Sequence, residues 1–270
     1  MKFFKLFSIL LCIIMVIMVT GCTSMIKSDK RPIEPKKLEI SDNIILESTG
    51  IVNMNIPLLA DHIDFFPSSF KINSYEKVIY IDPVIVEGDE QADYILITHS
   101  HDDHFSLTDI EKLAKKETII IGPKDVARTL NKKLPELNIY EVKPEDKITF
   151  SDITIEAIDA YNLKSGFLTP HPMRKMWVGY VITIGDVKLY HAGDTDYIPE
   201  MDEISNIDLA MIPIGGDNLT MNAEDAAEFV NNLKPKIAVP MHYSIEIDQI
   251  SIFRELVNND TKVIIMDGIN

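Results

Sequence analysis

A chain of 270 residues with 26 Lys and Arg against 42 Asp and Glu carries a formal charge of −16, which excludes the clustered cations that a nucleic-acid partner's phosphates require. Hydrophobic residues at 46% and charged residues at 25% exclude a disordered chain and leave room for one large core or two small ones. Cys12 and Cys22 are the two cysteines, too few for a disulfide framework or an all-cysteine zinc site.

The chain opens MKFFKLFSILLCIIMVIMVTGC. Lys2 and Lys5 form a short basic start, and residues 6–19 are nearly unbroken apolar sequence. A membrane-spanning helix needs roughly 20 apolar residues, so this run suits the core of a signal peptide over 1–21, with an uncleaved membrane helix as the alternative. Val19-Thr20-Gly21-Cys22 resembles a bacterial lipobox, in which the cysteine is lipidated. Both readings place the rest of the chain outside the cytoplasm. Residues 22–40, with two prolines and several lysines, read as the lipidated cysteine and a flexible tether.

The folded domain is expected over 41–270. Strands are predicted at 77–81, 94–98 and 118–121, and a helix at 124–134 has apolar Val126, Ala127, Leu130 and Leu134 at helical spacing. Further strands follow at 147–150, 153–158, 178–184 and 187–190, with Gly185-Asp186 as a two-residue hairpin turn. Strands at 209–212, 237–239 and 262–266 then alternate with helices at 223–233 and 250–257. The pattern is α/β, with strands followed by helices in each half.

Directly after strand 94–98 comes Thr98-His99-Ser100-His101-Asp102-Asp103-His104. Imidazole and carboxylate together suit Zn²⁺, Mn²⁺ or Fe²⁺. Two cations roughly 3.5–4 Å apart need two ligand sets held close together. Alternation lets His99 and His101 serve one cation while Asp103 and His104 turn to the next. Tyr190-His191-Ala192-Gly193-Asp194-Thr195 follows the hairpin, and Asp194 can offer two oxygens to bridge a pair. Pro240-Met241-His242-Tyr243 again puts a histidine at a strand's end. Asp82, at the end of strand 77–81, could accept the outer N–H of a ligating histidine. Gly193 and Gly215-Gly216 permit the left-handed backbone and close approaches such a site needs.

These segments, in this order, resemble the metallo-β-lactamase superfamily over roughly residues 44–265. They are most similar to its prokaryotic metal-dependent hydrolase branch, related to ascorbate-phosphate lactonase and N-acylethanolamine phospholipase. Pro213-Ile214-Gly215-Gly216 and Met221 also resemble that branch. The resemblance implies a single-domain αββα sandwich with a dinuclear site along one edge. It implies His99, His101 and His171 on one cation and Asp103, His104 and His242 on the other, with Asp194 bridging. His171 enters because some relatives pair an Ala-Tyr-Asn segment, here Ala160-Tyr161-Asn162, with a later His-Pro. His191 is assigned to hydrogen bonding behind the ligands, with direct ligation as the alternative. Trp177 is read as core, and Phe65, Phe66, Phe167 and Leu168 as an apolar rim.

The expected function is a membrane-tethered, extracytoplasmic metal-dependent hydrolase. Two divalent ions, most simply zinc, would lower the pKa of a bound water from 15.7 toward about 7, and the hydroxide would attack an ester, lactone or phosphodiester-type bond. Asp102 and Asp194 are the candidate catalytic carboxylates. Asp102 would orient the water or relay a proton, with helix capping as its alternative. The partners expected are a small-molecule substrate and the membrane, through lipid on Cys22, and no nucleic acid. The alternative is a non-catalytic metal-binding lipoprotein acting in ligand binding or adhesion. A redox di-iron site fits less well, because the flavodiiron members of the superfamily carry glutamate where this chain has His101.

Overall fold

The computed structural model describes residues 36–55, 62–75, 77–151, 153–164 and 169–268. The expected leader, Cys22 and the tether up to residue 35 lie outside the described residues. Among the described residues no helix is long and apolar enough to cross a membrane.

The first half of the fold contains β1 (Lys37–Ser41), β2 (Ile44–Ser48), β3 (Val52–Asn55), β4 (His62–Phe66), β5 (Phe70–Ser74), β6 (Lys77–Ile81) and β7 (Ala92–Leu96). It continues with α1 (Leu107–Leu113), β8 (Ala114–Pro123), α2 (Lys124–Lys133) and β9 (Asn138–Val142). The second half has β10 (Lys147–Thr149), β11 (Thr154–Asp159), β12 (Val178–Ile184), β13 (Val187–His191) and β14 (Leu209–Pro213). After these come α3 (Ala223–Leu233), β15 (Ile237–Met241), β16 (Tyr243–Ser244), α4 (Gln249–Leu256) and β17 (Lys262–Val263).

Two seven-stranded sheets result, in the orders β1-β2-β5-β6-β7-β8-β9 and β10-β11-β12-β13-β14-β15-β17, with β16-β4-β3 as a small third sheet. Strands β6 to β9 run parallel, as do β13, β14, β15 and β17. Parallel strands need cover on both faces, and the sequence supplies it. In β7, Tyr94 and Leu96 face the space between the sheets and pack with Ile155, Tyr180 and Leu189. The alternate residue Ile95, with Ile97 beyond the strand, joins Ile110 and Leu113 of α1 and Val126 and Leu130 of α2 on the outer face. On the far side, Phe229 of α3 packs its ring 6.0 Å from that of Tyr190. The layers are helix, sheet, sheet, helix, the sandwich that the sequence led us to expect.

The tether expected to run to residue 40 ends earlier. In β1 the residues alternate between exposed and half-buried, and Leu38 and Ile40 rest on the core; the flanking lysines conceal this short period of two in the sequence. Lys36 holds Ser48, its N–H donating to Ser48 Oγ at 3.1 Å and its carbonyl accepting from Ser48 N at 3.0 Å. Next to Ser48, the hydroxyl of Thr49 donates to the carbonyl of Ser69 at 3.2 Å. Segment 262–266, read as one strand, keeps its ladder only at Lys262–Val263.

Candidate metal centre

Four strands deliver the polar residues to one edge of the sandwich. Asp82 follows β6, and residues 98–104 follow β7 in the first sheet; Asp194 lies three residues beyond β13, and His242 follows β15 in the second. Carboxyl ends of parallel strands are where such folds present reactive side chains. His171 arrives from the loop between β11 and β12, which the Asn162 amide pins through its 2.8 Å hydrogen bond to the His171 carbonyl.

Two donor sets form. His99, His101 and His171 offer ring nitrogens within 4.8 Å of one another, as do the donor atoms of Asp103, His104, Asp194 and His242. In the first set, Nε2 of His99 and Nε2 of His171 approach Nδ1 of His101 at 3.1 and 3.2 Å. Their outer nitrogens fix which inner nitrogen carries a lone pair. The Thr98 hydroxyl donates to Asp82 Oδ2 at 2.6 Å, so it accepts from Nδ1 of His99 at 3.0 Å. Nδ1 of His171 donates to Asn162 Oδ1 at 3.1 Å. Both Nε2 atoms are therefore bare acceptors turned to the centre. Burial and the charge on His104 hold His99 well below the usual imidazole range, and burial with His171 lowers His101 to about 4.

The second set is electrostatically different. His104 donates Nδ1–H to Asp82 Oδ2 at 2.7 Å and turns Nε2 toward Asp194 Oδ1 at 3.3 Å and Asp103 Oδ2 at 3.7 Å. His242 Nε2 lies 2.9 Å from Asp194 Oδ2 and 3.5 Å from Asp103 Oδ2. Burial opposes charge on both rings, yet the carboxylates outweigh it, raising His104 well above its ordinary value and His242 to about 9. The same pairing outweighs burial at Asp103, which falls to about 2, and holds Asp194 well below the carboxylate range. Asp194 faces both sets, its Oδ2 also lying 3.4 Å from His171 Nε2 and 3.9 Å from His99 Nε2.

These donors fit divalent cations. Nε2 of His104, Nε2 of His242 and Oδ1 of Asp194 are buried without a hydrogen-bond partner, a costly arrangement unless something else satisfies them.

His191 stands apart from both sets. Its Nε2–H donates to the Ser68 carbonyl at 2.8 Å and its Nδ1 accepts from Gly193 N at 3.2 Å, so both nitrogens are engaged and the ring steadies the backbone before Asp194. Asp102 is exposed, and the helix-capping role weighed for it belongs to Ser106, whose hydroxyl accepts from Asp109 N at 3.2 Å. Phe66 is fully buried core rather than rim, while Phe65 packs edge-on against His242 at 4.7 Å. Phe167, Leu168 and Cys22 lie outside the described residues. Trp177 is buried, but at the site: its ring lies 4.9, 4.8 and 5.7 Å from those of His99, His101 and His171. No local pattern marks it, because the fold of the 160–177 loop brings it there.

Comparison with known proteins agrees with this geometry. The family model described as "Beta-lactamase superfamily domain" matches residues 65–242. A UPF0173 metal-dependent hydrolase of Lysinibacillus sphaericus is 34% identical over 221 residues, covering 74% of this chain and 94% of the relative. A UPF0173 protein of Pyrococcus abyssi is 37% identical over 180 residues, covering 64% and 79%. Among solved structures, a candidate metal-dependent hydrolase from Parabacteroides distasonis superimposes with a TM-score of 0.68 at 27% identity, covering 87% of this chain and 99% of the other. The metallo hydrolase Igni18 of Ignicoccus hospitalis shares the fold at a TM-score of 0.61 and 23% identity, over 76% of this chain and 94% of its own. The chain belongs to the beta-lactamase superfamily and, within it, to the UPF0173 metal-dependent hydrolases.

Proposed function

We propose that the site holds two divalent cations and hydrolyses an ester, lactone or phosphodiester-type bond in a small molecule. His99, His101 and His171 would hold one ion, Asp103, His104 and His242 the other, and Asp194 would bridge them. The observation that carries this reading is the convergence of buried His104 Nε2, His242 Nε2 and Asp194 Oδ1, none of them in a directed hydrogen bond, beside a second set of inward-turned imidazoles. Mixed nitrogen and carboxylate donors suit Zn²⁺ first, then Mn²⁺ or Fe²⁺. Such ions supply an acidified water and polarise a carbonyl or phosphoryl oxygen.

The chain's own residues do the rest. Asp82, Thr98 and Asn162 hold three imidazoles in one tautomer, and His191 holds the Gly193 amide before the bridging carboxylate. Partial burial and neighbouring Asp103 raise the exposed Asp102 carboxyl, which suits a group passing protons between site and solvent. Exposed Leu163, Met173 and Met176 flank Asn162, His171 and Trp177 in sequence and favour a substrate with an apolar portion.

Elemental analysis of the purified chain, with turnover of phosphodiester, lactone and ester panels, tests the proposal. Asp194→Ala should lose bound metal and turnover together. Full metal content and undiminished turnover in that variant would overturn the bridging role.

The leader-like start and Cys22 support a lipid anchor and an extracytoplasmic location. The mass of the N-terminal peptide from membrane fractions tests the anchor; an unmodified Cys22 in the mature protein would exclude it.

A further inference from the structure

Outside both donor sets, one carboxylate ties the three-histidine set to the body of the fold. Asp125 lies in the first turn of α2. Its Oδ2 accepts from the hydroxyl of Ser100 at 3.0 Å, and its two oxygens receive the indole N–H of Trp177 at 3.2 and 3.0 Å. Lys175 adds an ammonium at 3.2 Å from Oδ2, and the same ammonium stands 5.0 Å over the Trp177 ring. An ionised carboxylate is the acceptor that such a ring of donors calls for.

What these donors touch gives the arrangement meaning. Ser100 sits between His99 and His101 in the chain, and the Trp177 ring meets His101 edge-on at 4.8 Å. His99 and His171 are each oriented by a hydrogen bond that the outer nitrogen donates, to the Thr98 hydroxyl and to Asn162 Oδ1. Among the described residues His101 has no such bond; its hydrogen-bond contacts are those of Nδ1 with His99 and His171. The indole lies as near His99, at 4.9 Å, but that ring has its own outer hydrogen bond, and His101 depends on its flanking groups instead.

We infer that Asp125 is a positioning residue for the three-histidine set, acting through Ser100 and Trp177 to hold His101 at ligating distance from its two neighbours. The inference rests on the reading that this set binds a metal. Asp125 touches no ligand and stands clear of the four-donor set, so its removal should weaken one site and spare the other. Losing the groups behind a metal-ligating histidine commonly costs 10–100-fold in affinity.

The chain's one tryptophan provides the readout. Co²⁺ titrated into metal-free full-length protein should bind in two steps, and the step at the three-histidine set should quench Trp177 fluorescence. In Asp125→Ala the quenching step should weaken 10–100-fold while the other step, followed by Co²⁺ visible absorption, keeps its affinity. Asp125→Asn, which retains acceptor oxygen, should recover most of the loss. If the alanine variant does not fold, Trp177→Phe keeps an aromatic wall, deletes only the donor, and should show the same selective weakening by absorption. An unchanged quenching step in Asp125→Ala, or equal weakening of both steps, would overturn the positioning role. A parent chain that takes up no Co²⁺ would overturn the metal reading beneath it.

Discussion

Asp82 accepts the Nδ1 proton of His104 at 2.7 Å from a backbone held at φ 46°, so a left-handed residue supplies the acceptor that orients a donor of the second set. The same carboxylate takes the Thr98 amide at 2.7 Å and the Thr98 hydroxyl at 2.6 Å, and through Thr98 it reaches His99. One buried side chain thus steadies a ring in each set.

Asp82→Ala would leave these buried donors without a partner. It should lower unfolding stability by roughly 3 kcal/mol in urea denaturation and weaken metal uptake at both sets. Asp82→Asn tolerates the left-handed backbone and keeps one acceptor, so its loss should be smaller. A change under about 0.5 kcal/mol for the alanine variant would show that Asp82 does not hold these groups.

Proton release should distinguish the two sets. His104 and His242 have raised pKa values, His242 to about 9, so at pH 7 both rings carry protons that a cation must displace. Filling the second set should release about two protons, and its apparent affinity should rise with pH from neutral through about 9, where His242 loses its proton. His99 and His101 are held low, so these two rings should release almost no protons as the first set fills near neutral pH. Calorimetry in buffers of different ionisation enthalpy measures both; equal release from the two steps would contradict the assignment.

Gly215 is a packing constraint on His242. A Cβ there would stand 2.3 Å from the His242 carbonyl oxygen, on a residue that already has φ 53°. Gly215→Ala must push the His242 backbone, costing roughly 1–3 kcal/mol and selectively weakening the four-donor set. Thermal unfolding and metal stoichiometry check this. Normal occupancy of that set would mean the contact relaxes without moving the ring.

Outside both donor sets, buried Glu47 receives Lys71 at 2.8 Å, Lys37 at 3.0 Å and the Asn73 amide at 2.7 Å. Burial opposes its charge, but the two lysines outweigh it and lower its pKa below 4.5. A lowered carboxyl adds stability above the unfolded value and loses it as pH falls through the folded one. Glu47→Gln should cost roughly 1.5–3 kcal/mol at pH 7, and the gap from the parent should close below about pH 4. A gap that widens in acid would reverse the sign argued here.

The parts of this molecule that could be read from sequence are those encoded locally. The run 94–98 followed at once by His99, His101, Asp103 and His104 couples an apolar strand to a dense donor cluster within one stretch. Asp194 and His242 likewise follow apolar strands closely. Strands β1 to β5 were not legible, because β1 and β5 alternate in burial with polar residues on one face and the β4 pairing with β16 joins residues far apart in the chain. Helix α1 buries only Asp109, Ile110 and Leu113, too little apolar sequence to show a helical period. Trp177 and Asp125 meet across 52 residues, a distance no spacing rule spans.

Lys36 is bonded to Ser48, whose neighbour Thr49 reaches Ser69, adjacent to the Ser68 that receives His191. The start of β1 therefore stands at the end of its sheet where β6 runs into Asp82, and not at the opposite end of the sandwich, where Gly185 turns the β12–β13 hairpin. A spectroscopic probe attached at Lys36 would therefore sense the histidines' end of the sheet, and one at Gly185 would not.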